Sequence, residues 1–189
     1  LGARQVMMML AGPRLKVALI TTHLPIREVA AHIKKPLVES QLRLCHAELT
    51  RFFHPEGPRL GLCALNPHGE ENGQAGREER EVLRPAAESL RAEGLNISDP
   101  LPADSLMAQA AEGRYDAVVA MYHDQGLAPI KLLHPRQTVN VTLGLGKIRT
   151  SPDHGPAYDL AWQGKASPES LIAAIHMARD MVRTEKTRP

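Results

Sequence analysis

Short apolar runs alternate with amphipathic stretches along the whole 189-residue chain. Residues 16–22 (KVALITT) form a brief run rich in β-branched side chains, which predicts a buried strand. Pro25 suits the first turn of a helix, and Ile26, Val29, Ala30 and Ile33 recur behind it at helical spacing. A second helix is predicted over 36–53, with Val38, Leu42, Cys45 and Leu49 on its apolar face. Residues 59–65 (RLGLCAL) read as a strand, and 66–76, rich in Gly and Asn, as a loop. A charged amphipathic helix follows over 77–93, closed by Gly94 as its C-cap. The alternation then repeats. Asp104 is placed to cap a short helix reaching Gly113, 116–121 (DAVVAM) reads as a strand, and 122–133 as a loop leading into a helix. A strand over 138–143 follows. Ser167 is placed to cap a last helix over 168–183, whose inner face is predicted to be Leu171, Ile175, Ala178 and Val182. Strands alternating with helices in this way predict a three-layer α/β/α sandwich around a largely parallel sheet.

Composition narrows the function classes. Lys and Arg total 23 against 21 acidic residues, the basic positions are scattered, and aromatics make up 3% of the chain. No basic stripe with stacking residues is present, so a nucleic-acid partner is not expected. The longest apolar run, 6–12, is too short to cross a bilayer, and no leader-like pattern precedes it. Cys45 and Cys63 lie far apart in partly apolar stretches and read as buried thiols, which suits a reducing cytoplasm. The chain opens on Leu1 and enters an apolar stretch within a few residues, the pattern expected of a fragment whose upstream part is missing.

In open α/β sheets ligands bind at the carboxyl ends of strands. Three histidines fall at such positions: His23 after KVALITT, His68 after RLGLCAL and His123 after DAVVAM. Neutral imidazole is the commonest metal ligand, and three protein ligands leave coordination positions open for a substrate. Three loop histidines satisfied by backbone carbonyls would give the same spacing. Lys131, Asn140 and Arg149 form a second set, two cations and an amide that suit an anionic, phosphorylated substrate if they share a pocket. Taken singly, each reads as a solvated surface group. Gly144-Leu145-Gly146 lacks the third glycine of a dinucleotide fingerprint, and Gly146-Lys147-Ile148 lacks the Ser/Thr and the earlier glycine of a phosphate loop.

Five blocks in order, TTHLPI (21–26), LNPHGEENG (65–73), DPLPADSL (99–106), AMYHDQGLAPIK (120–131) and VNVTLGLGKIRTSPDHG (139–155), resemble the 4-hydroxythreonine-4-phosphate dehydrogenase family. The resemblance implies that residues 1–189 are the C-terminal portion of such an enzyme, since the N-terminal part of the family, with a substrate-holding His-Thr pair, has no counterpart here. It implies a fold similar to the isopropylmalate and isocitrate dehydrogenases. A divalent metal (Zn, Mn, Co or Mg) would be held by His23, His68 and His123, and a small phosphorylated substrate by Lys131, Asn140 and Arg149. A homodimer sharing its active site is also implied. His154-Gly155-Pro156-Ala157-Tyr158-Asp159 is similar to the loop with which those dehydrogenases hold the NAD adenine, so His154 and Gly155 are candidate cofactor contacts. Asp124, beside His123, is placed either to orient that imidazole or to sit exposed at a helix start. The implied reaction is NAD-linked oxidation and decarboxylation of 4-phosphooxy-L-threonine to 3-amino-2-oxopropyl phosphate, in pyridoxal phosphate biosynthesis. The alternatives are oxidation of a related 4-phosphorylated hydroxy acid, such as threonate or erythronate phosphate, or of a cyclic dihydrodiol, and an inactive unit that keeps only metal and dimer sites. The chain departs from the family pattern at Gly146 and Lys147, where a proline and an aromatic are common, and in the glutamates Glu70 and Glu71 close after His68.

Overall fold

The computed structural model describes residues 5–187. The chain opens with a hairpin, β1 (Met7–Ala11) and β2 (Lys16–Leu19), then runs through α1 (Ile26–His32) and α2 (Lys35–Phe52) into β3 (Leu60–Cys63). A 3₁₀ segment (Pro67–Gly73) and a π-helical turn (Glu79–Leu83) lead into α3 (Arg84–Ala92) and β4 (Ile97–Leu101). There follow α4 (Ala103–Ala111), β5 (Ala117–Ala120), α5 (His123–Leu133), β6 (Val139–Leu143), β7 (Thr150–Pro152) and α6 (Glu169–Lys186).

The seven strands form one sheet in the order β4-β3-β5-β2-β1-β6-β7. β4, β3, β5 and β2 pair in parallel, whereas β1 is antiparallel to both β2 and β6, and β7 is antiparallel to β6. Strands β2 to β6 therefore all point one way, and β1 and β7 run against them. The sheet is largely parallel, as the alternation predicts. β1 is one of three strands, with β4 and β7, that the sequence pattern does not resolve. Its MMMLA run has no β-branched or aromatic residue, and burial on both faces removes the alternation that marks a half-exposed strand.

Helices cover both faces. Side chains of α2, α3 and α6 pack with Met9, Leu60, Leu62, Val119 and Val141 on one side. Those of α4 and α5 pack with Leu10, Val17, Leu19, Val118 and Ala120 on the other. Cys45 and Cys63 are free and buried, and burial pushes the Cys45 thiol up to about 12. Among the described residues no helix is long and apolar enough to cross a membrane.

Three local expectations need correcting. Within the 66–76 stretch, Pro67–Gly73 is a 3₁₀ segment in which His68, Gly69, Glu70 and Glu71 all have positive φ, so a left-handed turn takes up much of the expected loop. Asp104 lies inside α4, behind Pro102 at the N-cap, and its carboxylate accepts from Ser105 N instead; α6 likewise starts behind Pro168, with Ser167 Oγ accepting from Glu169 N. The inner face of α6 is Ser170, Ala174 and Met181, while Leu171, Ile175 and Val182 are exposed. Hydrogen bonds fix this rotation. Ser170 Oγ donates to Thr138 O and accepts from Asp153 N, and Thr150 Oγ1 donates to Ala174 O.

Candidate functional site

Strands β3, β5 and β2 are neighbours and parallel, so their carboxyl ends lie on one edge of the sheet. His68, His123 and His23 leave that edge in the same order. The β2 and β5 ends are closed onto each other: Ile20 N donates to Ala120 O, and both Thr21 N and Thr21 Oγ1 donate to Met121 O. His123 begins α5, and Gly126 lets that helix lie close on β2, since a Cβ there would stand 2.7 Å from Val17 Cγ1 and 2.8 Å from Leu19 Cδ2. The His23 and His123 rings accordingly meet, with centroids 5.5 Å apart. His123 Nδ1 lies 2.6 Å from Asp124 Oδ1; the ring donates to the carboxylate there, which leaves Nε2 as the free lone pair.

A pocket of about 280 Å³ runs from this pair along α5 toward β6. It brings together His23, His123, Lys131, Asn140, His154 and Gly155. Asn140 Oδ1 is buried there without a hydrogen-bond partner among the described residues. A carbonyl oxygen so placed is costly unless a ligand donates to it. Lys131 Nζ is 3.3 Å from Asp153 Oδ1, on the same wall. Asp153 carried no signal in the sequence pattern, and β7 alone delivers it. Asp153 and His154 also line a second pocket of about 220 Å³, with Ala157, Leu160 and Ser170 among its walls.

Three of the predicted residues stand outside the pocket; one, Asp124, is exposed and touches it only through His123 Nδ1. Arg149 is exposed, its Nη1 donating to Thr142 Oγ1 at 2.8 Å, two residues along β6 from Asn140 and on the same face. His68 lies in a neighbouring pocket with Asn66, Tyr122 and Gln125. Among the described residues no three His, Cys, Asp or Glu side chains are grouped closely enough to hold a metal ion. Within one chain the His23 and His123 imidazoles meet while His68 stands apart, so the three predicted ligands do not converge on one point. Behind His68, the buried Glu79 accepts from Leu65 N and Asn66 N through Oε1, both at 2.7 Å, and from Asn66 Nδ2 through Oε2 at 2.9 Å. A sequence reading places Glu79 on a solvated helix face. Its only signal is the clustering of glutamates at 78, 79 and 81, which does not say which one turns inward.

Known proteins match this chain along nearly its whole length. It is 51% identical over 175 residues to a 4-hydroxythreonine-4-phosphate dehydrogenase of Desulforapulum autotrophicum, covering 92% of this chain and 51% of that protein. It is 49% identical over 180 residues to one of Chromobacterium violaceum, covering 95% and 55%. The crystal structure of 4-hydroxythreonine-4-phosphate dehydrogenase from Klebsiella pneumoniae superposes with a TM-score of 0.86 at 42% identity, covering 95% of this chain and 55% of that one. A terephthalate 1,2-cis-dihydrodiol dehydrogenase from Burkholderia xenovorans LB400 superposes at 0.75 with 32% identity, covering 93% and 55%. The chain spans about half the length of the curated relatives it matches. The family profile of the pyridoxal phosphate biosynthetic protein PdxA matches residues 1–178. With its sheet, its pocket and its blocks in register, the chain belongs to the PdxA family.

Proposed function

We propose that this chain forms the C-terminal, metal- and substrate-binding portion of an NAD-dependent 4-hydroxythreonine-4-phosphate dehydrogenase. The observation that carries the reading is the single pocket that holds His23, His123, Lys131, Asn140, His154 and Gly155. The proposed reaction oxidises the hydroxyl of 4-phosphooxy-L-threonine, with NAD as hydride acceptor, and releases CO2 to leave 3-amino-2-oxopropyl phosphate.

His23 and His123 would hold a divalent ion together with His68 from a second copy of the chain, which makes the functional unit a homodimer with a shared site. Such an ion supplies Lewis acidity, lowering the pKa of the substrate hydroxyl and later stabilising the enolate that decarboxylation produces. Asp124 fixes the tautomer of His123, so that Nε2 is the ligand atom. Lys131 and Arg149 bind the phosphate and carboxylate groups, and Asn140 Oδ1 accepts from a substrate hydroxyl or ammonium. The pocket beside His154 suits the cofactor, because sharing Asp153 and His154 with the substrate pocket sets the two ligands edge to edge. Mixed charge also suits the substrate: Asp153 opposite Lys131 matches a zwitterionic amino-acid phosphate.

A second reading, a binding unit without turnover, is favoured by the position of His68 apart from the other two imidazoles. One experiment separates the readings. NADH formation is followed with 4-phosphooxy-L-threonine, and with threonate and erythronate phosphates, in the presence of Zn²⁺ or Mn²⁺ and after chelation. The proposal expects metal-dependent NADH formation that is fastest with the amino-acid phosphate and is abolished in His23→Ala and His123→Ala. Metal binding without NADH formation on any of the three would leave the binding-unit reading in its place.

A further inference from the structure

We infer that Gln125 is a positioning residue whose side-chain amide fixes the turn bearing His68 at a set separation from the turn bearing His123. The inference rests on the proposed metal site, in which the His68 of each chain serves the site of the other, so that the turn must be held in place on its own chain to reach across. Its basis is where the β3–β5 ladder ends. The register pairs Leu60 with Ala117, Gly61 with Val118 and Leu62 with Val119; continued, it would set Ala64 opposite Met121. Instead the Gln125 amide stands between those two residues. Met121 N donates to Gln125 Oε1 at 2.7 Å, and Gln125 Nε2 donates to Ala64 O at 2.7 Å.

A primary amide carries one acceptor and one donor side, as a peptide unit does, so it extends the ladder while holding the two strand ends one amide apart. On the other flank of β5 the strand ends close directly, Thr21 donating to Met121 O from both its backbone and its hydroxyl. The split is therefore confined to the β3 side, where a pocket of about 290 Å³ opens between His68 and Tyr122 with Gln125 in its wall. Gln125 is the third residue of α5, the position from which a Gln ordinarily folds back onto the N-cap N–H. Here it reaches Met121, one residue earlier, and its donor goes to another strand altogether. Capping the helix needs only the acceptor. The donor to Ala64 serves the His68 turn.

Gln125→Glu separates the two roles. The carboxylate keeps an acceptor for Met121 N–H but sets an oxygen against the Ala64 carbonyl, which releases the His68 turn and retains the cap. Co²⁺ is titrated into wild type, Gln125→Glu, Gln125→Leu, His68→Ala and the Gln125→Glu/His68→Ala double variant, following affinity and the visible ligand-field spectrum, with thermal melting as a check on folding. Loss of a residue that orients a ligand is expected to weaken metal binding by about 10–100-fold. Gln125→Glu should show that loss with a spectrum moved toward that of His68→Ala, and should cost nothing further in the His68→Ala background. Should Gln125→Leu fail to fold, Gln125→Glu carries the test. Wild-type affinity and spectrum in Gln125→Glu, or an equal loss with and without His68, would overturn the inference while leaving the metal site standing. A wild-type protein that does not bind Co²⁺ would remove the metal site and the inference with it.

Discussion

Gly126→Ala sets two known effects against each other at the point where α5 meets β2. In a helix interior alanine is favoured over glycine by about 1 kcal/mol, so propensity alone predicts a more stable protein. Packing opposes it. The new methyl carbon would stand 2.7 Å from Val17 Cγ1, 2.8 Å from Leu19 Cδ2 and 3.3 Å from Ala120 Cβ. Val17, Leu19 and Ala120 are at most 1% exposed, so none can swing into solvent, and valine is stiff about χ1. Relief requires α5 to move away from the sheet. Overpacking of this kind costs about 1–3 kcal/mol. The net expectation is destabilisation of about 1 kcal/mol, or roughly 2–4 °C in Tm for a chain of this length. Urea and thermal unfolding of the two proteins measure it. A Gly126→Ala protein more stable than wild type by about 1 kcal/mol would show that α5 is not held against β2 as described, and the close approach of His123 to His23 would lose its explanation.

Two further outcomes are expected. Glu79→Ala should destabilise by roughly 1–3 kcal/mol for each of the Leu65 and Asn66 N–H groups it leaves unpaired, visible as a lower urea midpoint and as new protease cleavage within 65–76; an unchanged midpoint would refute the role given to the carboxylate. His134 is 6% exposed, its Nε2 accepts from Arg14 N at 3.3 Å, and burial, then the Arg14 charge, holds its pKa below the usual value, as burial does for His46 and His54. Between the ordinary histidine value of about 6.5 and these lower folded values the unfolded chain binds more protons, so stability should fall as pH drops through that window. His134→Gln should flatten the fall in urea midpoint between pH 7.5 and 5.5, pH values of roughly that choice bracketing the histidine range; a protein that gains stability on acidification would contradict it.

The alternation of apolar runs and amphipathic stretches determined the layer architecture, because strand and helix periods are local properties of side-chain order. It also set three histidines beyond three strands, and the resemblance supplied Lys131, Asn140 and Arg149 with roles. Whether those strands are neighbours is not a local property. Only the order β3-β5-β2 puts the three turns on one edge, and the closed β2 and β5 ends together with the glycine contact at 126 bring His123 onto His23. The residues that hold the turns, Thr21, Glu79 and Gln125, read as ordinary polar positions, since their partners include backbone groups 13 to 100 residues away. The rotation of α6 shows the same limit from the other side. Its apolar stripe pointed to one inner face, and hydrogen bonds from Ser170 and Thr150 chose another. Patterning decides which segments become buried elements; unpaired backbone groups, whose partners exist only once the chain has folded, decide how those elements turn and where their side chains meet.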